Sequence, residues 1–412
     1  MPSTTLDEFR LPVPIAFAQR MGAWADSAGL KLVNSDPAAL IAAAERQTGL
    51  HDWGDPAFLR DYRVLMTQIA AASDQLTFLG KSSLRTDLLR ILTIRLRMNA
   101  IFAQRPALSD DPIQRPLFIV GLPRTGTTLL HKLFACDPAR RVAEYWEFLA
   151  PYPPDVPPSI PQRIRSTESL ARLANSALPG MSAIHLVDAH APEECVFLMP
   201  HHLVMHMRAF IPAYADWLFE RDLRPDYAYH KQQLQALSVG HEGKGWVLKA
   251  PFHLFSLPEL FAVYPDAGII HTHRDPKKVI GSWCSFAGVI AKFHRKHPNV
   301  SEIAADWLHR WHVGIQRAVA FRDQHPTANV IDLHYHDLIA DPIAAMRRLY
   351  LHFGAELFAD AETQMRAALE ADKHDPSAPT HRYDLAQLGM TAEQIDSTFH
   401  FYTERFNVRL ES

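Results

Sequence analysis

Apolar positions in the first quarter of the chain recur at helical spacing. From about residue 36 to 103 the pattern is helical, and in the run 88–97 apolar residues lie on one side while arginines recur on the other. We expect these arginines to form the solvated face of a helix. The pattern predicts a helical N-terminal region, residues 1–110, packed on the rest of the molecule.

Further along, short apolar runs typical of buried strands alternate with helical patterns. The runs lie at 116–120, 246–249, 268–274 and 330–335, with helical patterns at 257–264 and 303–324 between the last three. Such alternation predicts an α/β fold of three layers, with a central parallel sheet between helices, over residues 111–360. Residues 163–245, mostly helical in pattern, are predicted to form an insertion over the site, and residues 361–412 a C-terminal segment that completes it.

The turn after the first strand carries the clearest chemical signal. Residues 121–128 read G-x-x-x-x-G-T-T, which matches the phosphate-cradling loop of P-loop nucleotidases except that Thr127 replaces the lysine. Backbone N–H groups at the start of the following helix favour an anion, and Arg124 could reach its terminal oxygens. The loop predicts a phosphate site, the alternative being a glycine turn without a ligand.

Composition narrows the compartment and the partners. The formal net charge of −3 over 412 residues supplies no basic field, so we expect no nucleic acid partner. The three cysteines, odd in number and widely spaced, suit a reducing cytosol and show no metal-ligand spacing. Neither a signal-peptide pattern nor an apolar run of membrane-spanning length is visible, which predicts a cytoplasmic protein. Self-association as a homo-oligomer is left open.

The loop also resembles that of a known enzyme family. Its sequence is similar to the 5′-phosphosulfate loop, P-[KR]-[ST]-G-T-T, of the sulfotransferases that use PAPS (3′-phosphoadenosine 5′-phosphosulfate), and specifically to the bacterial type with G-x-P-R-[ST]-G-T-T. The resemblance implies PAPS as co-substrate, a small-molecule acceptor with a hydroxyl or amine, and no metal. It also implies that the loop contacts the cofactor through Pro123, Arg124, Thr125, Gly126, Thr127 and Thr128.

Three later residues match other motifs of this family. Arg274, and Ser282 eight residues on, resemble the pair that holds the 3′-phosphate, although an arginine paired with a carboxylate such as Asp275 is the alternative. Tyr335 resembles the tyrosine at the adenine end, or is a core tyrosine. The family's C-terminal R-K-G-x-x-G segment is absent, and residues 380–383 are predicted to replace it.

The resemblance leaves the catalytic base open. Lys249 matches the lysine that approaches the sulfuryl group, but Pro251 occupies the place of the histidine that follows it in the cytosolic enzymes. His190 is the first candidate, because a neighbouring carboxylate from Glu193 or Glu194 could fix its tautomer. Glu193 and Glu194 are themselves candidates for the base, as are His253, Glu144 and Glu147; the last two are considered because related enzymes use a glutamate.

Two other functions remain compatible with the residues. A small-metabolite kinase would need Mg²⁺ and normally the missing lysine. A non-catalytic protein could keep a degenerate nucleotide site for folding or interaction. Sulfuryl transfer is favoured because the arginine-containing loop and the later motifs occur together.

Overall fold

The computed structural model describes residues 11–30, 32–178, 187–373 and 383–411. Its centre is a five-stranded sheet in which every neighbouring pair is parallel, in the order β2-β3-β1-β4-β5. The strands are β1 Leu117–Gly121, β2 Arg140–Arg141, β3 Gly245–Lys249, β4 Gly268–His273 and β5 Val330–His334. The predicted α/β fold with a parallel sheet is confirmed. The two-residue strand β2 was not predicted, because it is too short to show a pattern.

Helices surround the sheet and fill the stretches between its strands. Their bounds are α1 Val13–Ser27, α2 Pro37–Thr48, α3 Pro56–Ala71, α4 Phe78–Gln104, α5 Thr127–Ala135, α6 Tyr145–Leu149, α7 Ile160–Ala177, α8 Leu203–Ala209, α9 Pro212–Glu220, α10 Arg224–Ser238, α11 Leu257–Val263, α12 Pro276–His294, α13 Val300–Gln324, α14 Tyr335–Ala340, α15 Pro342–His352, α16 Ala359–Lys373 and α17 Ala392–Arg405.

Both faces of the sheet are buried, as parallel sheets require. Alternate residues of the central strand β1 point to opposite sides, so Phe118 joins the large core shared with the N-terminal and inserted helices. Ile119 joins a smaller core with α5 and α15. The three-layer arrangement brings the carboxyl ends of β1, β3 and β4 to one edge, where ligands bind in open α/β sheets.

The structure corrects the prediction that the arginine side of α4 faces solvent. This helix packs against α1, α2, α8 and α12, so it lies among helices rather than on the surface. Arg95 is only 9% exposed, and its guanidinium lies 4.7 Å from the ring centroids of both Phe58 and Tyr229. Its Nε donates to the Trp53 carbonyl oxygen at 3.0 Å. The expected solvated face is therefore wrong, because aromatic side chains from two other helices cover it.

Candidate active site

The phosphate-type loop joins β1 to α5, and two of its residues have left-handed backbone conformations, one favourable and one strained. Gly126 precedes the helix with φ +85°, and a Cβ there would lie 2.8 Å from Leu338 Cδ2. Glycine meets both demands. Arg124 is exposed and also left-handed, with φ +64°, which costs a non-glycine residue about 1 kcal/mol or more. Such strain at a solvent-facing cation is typical of a functional site.

The three threonines of the loop differ in burial and in the contacts they make. Thr125 is fully buried, and its hydroxyl donates to the Leu122 carbonyl oxygen at 2.7 Å and lies 2.6 Å from the Thr272 hydroxyl of β4. It therefore holds the loop against the neighbouring strand. Thr128 is exposed on the first turn of α5, whereas Thr127 is buried. Among the three, the Thr128 hydroxyl is the one most open to a bound anion.

Arg274 reaches the same loop from the end of β4. Its Nη1 donates to the Arg124 carbonyl oxygen at 2.9 Å, and its guanidinium lies 3.9 Å from the centroid of the Tyr335 ring. Two further bonds run to one carboxylate, from Nε to Glu411 Oε1 at 2.7 Å and from Nη2 to Oε2 at 2.9 Å. The structure thus brings Arg274, Tyr335 and the loop together, and it pairs the arginine with Glu411 rather than Asp275.

The start of α12 and the C-terminal segment close this part of the site. Ser282 is buried, 6% exposed, and the ring of Tyr383 packs where a Cβ of Gly281 would lie, 2.2 Å from it. The predicted replacement segment, residues 380–383, falls outside the described residues except for Tyr383. The contribution of Glu411 was missed, and no local signal could have found a carboxylate 137 residues from its partner.

Lys249 ends β3 with its side chain in a buried ion pair. Its Nζ lies 3.0 Å from Glu194 Oε1, and its side chain is 4% exposed. Burial by itself would lower the pKa of Lys249, but the charges of Glu194 and Glu193 outweigh burial and raise the pKa. The lysine is therefore charged at neutral pH. Of the proposed base candidates, Glu194 is the one that contacts it.

His190 takes a different partner from the one expected. Its Nδ1 lies 3.0 Å from Glu144 Oε2, whereas Glu194 pairs with the lysine. The expectation that Glu193 or Glu194 fixes its tautomer is therefore not met, because residues 189 and 191 run beside Tyr145 and Trp146 and turn the histidine toward Glu144. The hydrogen bond to Glu144 raises the pKa of His190. Both side chains are largely exposed, at 50% and 40%.

The other two base candidates are buried in contacts of their own. Glu147 forms an ion pair with Arg141 in which both side chains are under 10% exposed, and it also accepts the Glu144 N–H at 2.8 Å. His253 is 3% exposed, and burial lowers its pKa to about 3. Its ring nitrogens are occupied by Tyr227 and Cys195. Neither group is presented to the phosphate-type loop.

A small cavity of about 50 Å³ lies in the core near the segments that follow β3, and Lys249 is not among its lining residues. Two of its lining residues, Ala250 and Val196, come just after Lys249 and one residue after Cys195. Most of the remaining lining is apolar or aromatic, as at Met199, Leu218 and Phe252, with Arg221 and Arg317 among the polar residues. Its walls resemble those of small-molecule sites, but its volume is far below the roughly 300 Å³ or more that such sites have.

The sheet order, the loop at the end of β1 and the cations near it are typical of α/β proteins that bind a phosphate-type ligand. Comparison with known proteins narrows this class. Residues 116–360 match the family model described as "Sulfotransferase family". The chain therefore belongs to the sulfotransferase family and is an enzyme of sulfuryl transfer, as the resemblance of its motifs implied.

Three similar proteins come from mycobacteria. The omega-hydroxy-beta-dihydromenaquinone-9 sulfotransferase Stf3 of Mycobacterium bovis is 27% identical over 308 residues, covering 71% of this chain and 76% of that protein. The crystal structure of sulfotransferase STF1 from Mycobacterium tuberculosis H37Rv is 33% identical, with a TM-score of 0.72 and coverage of 88% and 97%. That of STF9 from Mycobacterium avium is 27% identical, with a TM-score of 0.80 and coverage of 91% and 97%.

Proposed function

We propose that the enzyme transfers the sulfuryl group of PAPS to a hydroxyl or amine of a small-molecule acceptor and releases adenosine 3′,5′-bisphosphate. The observation that carries this proposal is the convergence of a phosphate-type loop without its lysine, Arg274 and Lys249 at one edge of the sheet. The loop and Arg274 offer separate cationic positions for the 5′-phosphosulfate and the 3′-phosphate. A nucleoside diphosphate lacks the second of these groups.

In the proposed step the acceptor oxygen or nitrogen attacks sulfur while the bond from sulfur to the 5′-phosphate oxygen breaks. Arg124, the N–H groups at the start of α5 and Lys249 stabilise the charge that develops on the leaving oxygen. Glu194 accepts the acceptor's proton, since it is the candidate in contact with Lys249. The exposed pair of His190 and Glu144 is the alternative base.

Arg274 must exchange one anion for another when the cofactor binds. Its two bonds to Glu411 occupy the guanidinium edge that a 3′-phosphate would use. Tyr335, which is stacked on the same guanidinium, is proposed to pack against the adenine end. Ser282, which is 6% exposed and lies in the second turn of α12, is proposed to contribute its hydroxyl to the same phosphate.

The acceptor is proposed to carry an apolar body. The named substrate of the relative Stf3, a hydroxylated dihydromenaquinone, combines such a body with a hydroxyl. We also propose that the protein acts in the cytoplasm, because three widely spaced cysteines suit a reducing compartment. No helix among the described residues is both long and apolar enough to cross a bilayer.

Two measurements test the proposal. Adenosine 3′,5′-bisphosphate should raise the thermal unfolding midpoint, whereas ADP with Mg²⁺ should not, because only the first ligand carries the 3′-phosphate. The opposite result would favour a kinase. Turnover of labelled PAPS with a library of apolar alcohols, phenols and amines should then yield a sulfated product. Binding without turnover across the library would favour the non-catalytic alternative.

A further inference from the structure

Three side chains able to ligate a metal meet in the core beside the carboxyl end of β3. They are Cys195, in the 3₁₀ helix Cys195–Leu198; His230 of α10; and His253, in the 3₁₀ helix Pro251–Phe255. One ligand atom from each lies within 4.8 Å of the others, and none of the three residues is more than 3% exposed. The proposed transfer chemistry uses none of them.

Two tyrosines orient the histidine rings. The Tyr227 hydroxyl lies 2.7 Å from Nδ1 of His253, and the Tyr264 hydroxyl lies 2.8 Å from Nδ1 of His230. When each tyrosine oxygen accepts an Nδ1–H, the lone pair of each ring is left on Nε2. Metal-ligating histidines are held in this way, with the second ring nitrogen donating to a neighbouring oxygen.

The Nε2 atoms then have little else to bond. That of His253 lies 3.1 Å from Cys195 Sγ. That of His230 is buried and finds no hydrogen-bond partner among the described residues. A buried nitrogen without a hydrogen-bond partner destabilises the fold, because it loses its hydrogen bonds to water on folding and gains none in the protein. A cation placed between the three ligand atoms would satisfy this nitrogen.

We propose that Cys195 Sγ, His230 Nε2 and His253 Nε2 bind a Zn²⁺ ion, with water as the fourth ligand. Thiolate and imidazole together select a borderline metal such as Zn²⁺ over Mg²⁺ or Ca²⁺, which prefer oxygen. On binding, the Cys195 S–H bond breaks, its electron pair forms the bond to zinc, and the proton leaves to solvent. No oxidant or reductant is required.

The protonation states in the core agree with this chemistry. Burial lowers the pKa of His253 to about 3 and also lowers the pKa of His230, so both rings are neutral at physiological pH. Neutral imidazole is the form that ligates a metal.

Such an ion would influence the active site indirectly, because two of its ligands lie close in sequence to active-site residues. Cys195 directly follows Glu194, the partner of Lys249. His253 lies four residues after that lysine and lines the cavity described above. Zinc would therefore fix the segments that carry both members of the ion pair. The ion has a positioning role and is separate from the sulfuryl transfer itself.

Cobalt substitution tests the site directly. The parent protein, kept with a non-thiol reductant, is incubated with Co²⁺, desalted and analysed for metal content and absorption. We expect about one retained equivalent and a thiolate-to-cobalt charge-transfer band, both lost on adding Zn²⁺. Cys195→Ala and His230→Asn should each abolish the band. Cys136→Ala and Cys284→Ala are the matched controls and should keep it, which assigns the thiolate even if Cys195→Ala fails to fold.

Two outcomes would overturn the proposal. A parent protein that retains no stoichiometric cobalt and shows no charge-transfer band would have a purely hydrogen-bonded core at these residues. Equal metal retention by a folded Cys195→Ala variant would mean adventitious binding elsewhere. Neither outcome would affect the test with adenosine 3′,5′-bisphosphate, so a failed metal site is distinguishable from a failed sulfotransferase assignment.

Discussion

Replacing Glu411 by glutamine is expected to tighten the binding of adenosine 3′,5′-bisphosphate. In the structure Glu411 holds Arg274 through two hydrogen bonds of 2.7 and 2.9 Å. If Arg274 binds the 3′-phosphate, this pair has to open first, and part of the binding free energy is spent on opening it. Glutamine has nearly the same shape but lacks the negative charge, so it competes less well for the guanidinium.

The size of the effect follows from the exposure of the pair. The Arg274 and Glu411 side chains are 20% and 17% exposed, between a surface ion pair and a buried one. Exposed pairs contribute about 0.2–1 kcal/mol, and forked contacts to arginine are stronger. We take the competition to be about 1 kcal/mol, which corresponds to an approximately fivefold lower dissociation constant for Glu411→Gln.

The charge state of Glu411 sets the pH for the assay. Its hydrogen bond with Arg274 lowers the pKa of Glu411 in the folded protein. Stability from the pair is therefore fully present above the unfolded-state pKa and is lost as the pH falls through the folded-state pKa. At neutral pH the competing carboxylate is ionised, so titration calorimetry there measures the full competition.

Two comparisons isolate the ion pair. Glu404→Gln makes the same chemical change at an exposed position of α17, where the carboxylate pairs with His400, and should leave the affinity unchanged. In an Arg274→Ala background, Glu411→Gln should leave the dissociation constant unchanged, because the guanidinium for which Glu411 and the phosphate compete is absent. Equal dissociation constants for the parent and Glu411→Gln, or equal tightening by Glu404→Gln, would refute the reasoning.

Four further outcomes are expected. Arg274→Ala should weaken binding of adenosine 3′,5′-bisphosphate by about 2 kcal/mol, and unchanged calorimetric affinity would remove it from the 3′-phosphate site. Arg124→Ala should slow single turnover more than it weakens binding, since its charge is needed most in the transition state; an unchanged rate would contradict this. Glu194→Gln should lower kcat by roughly 10²- to 10⁴-fold and His190→Ala much less, measured with an aliphatic alcohol; the reverse pattern would make His190 the base. Arg95→Ala should lower the free energy of unfolding by about 2 kcal/mol in urea titrations, and a change below about 0.5 kcal/mol would contradict its role between two rings.

The sequence by itself determined the features that depend on neighbouring residues. β1, β3 and β4 are buried on both faces and were visible as apolar runs. The edge strand β5 is only partly buried, and it was visible from a shorter apolar run after a helical pattern. The phosphate-type loop at residues 121–128 could also be recognised from the sequence, because its glycines and the first residues of the following helix are close neighbours along the chain. Together these local signals were enough for the fold and the family.

Only the tertiary structure decided which side chains meet across elements. Glu411 contacts Arg274 over 137 positions, and Glu194 contacts Lys249 over 55. No periodicity encodes such pairs, because they arise when the sheet brings strand ends together and loops fold onto that edge. The arginine side of α4 illustrates the same point, since polar spacing predicted solvent but Phe58 and Tyr229 cover Arg95. The spacing of polar and apolar residues shows which side chains share one face of a helix, whereas the packing of the whole chain decides whether solvent or another element covers that face.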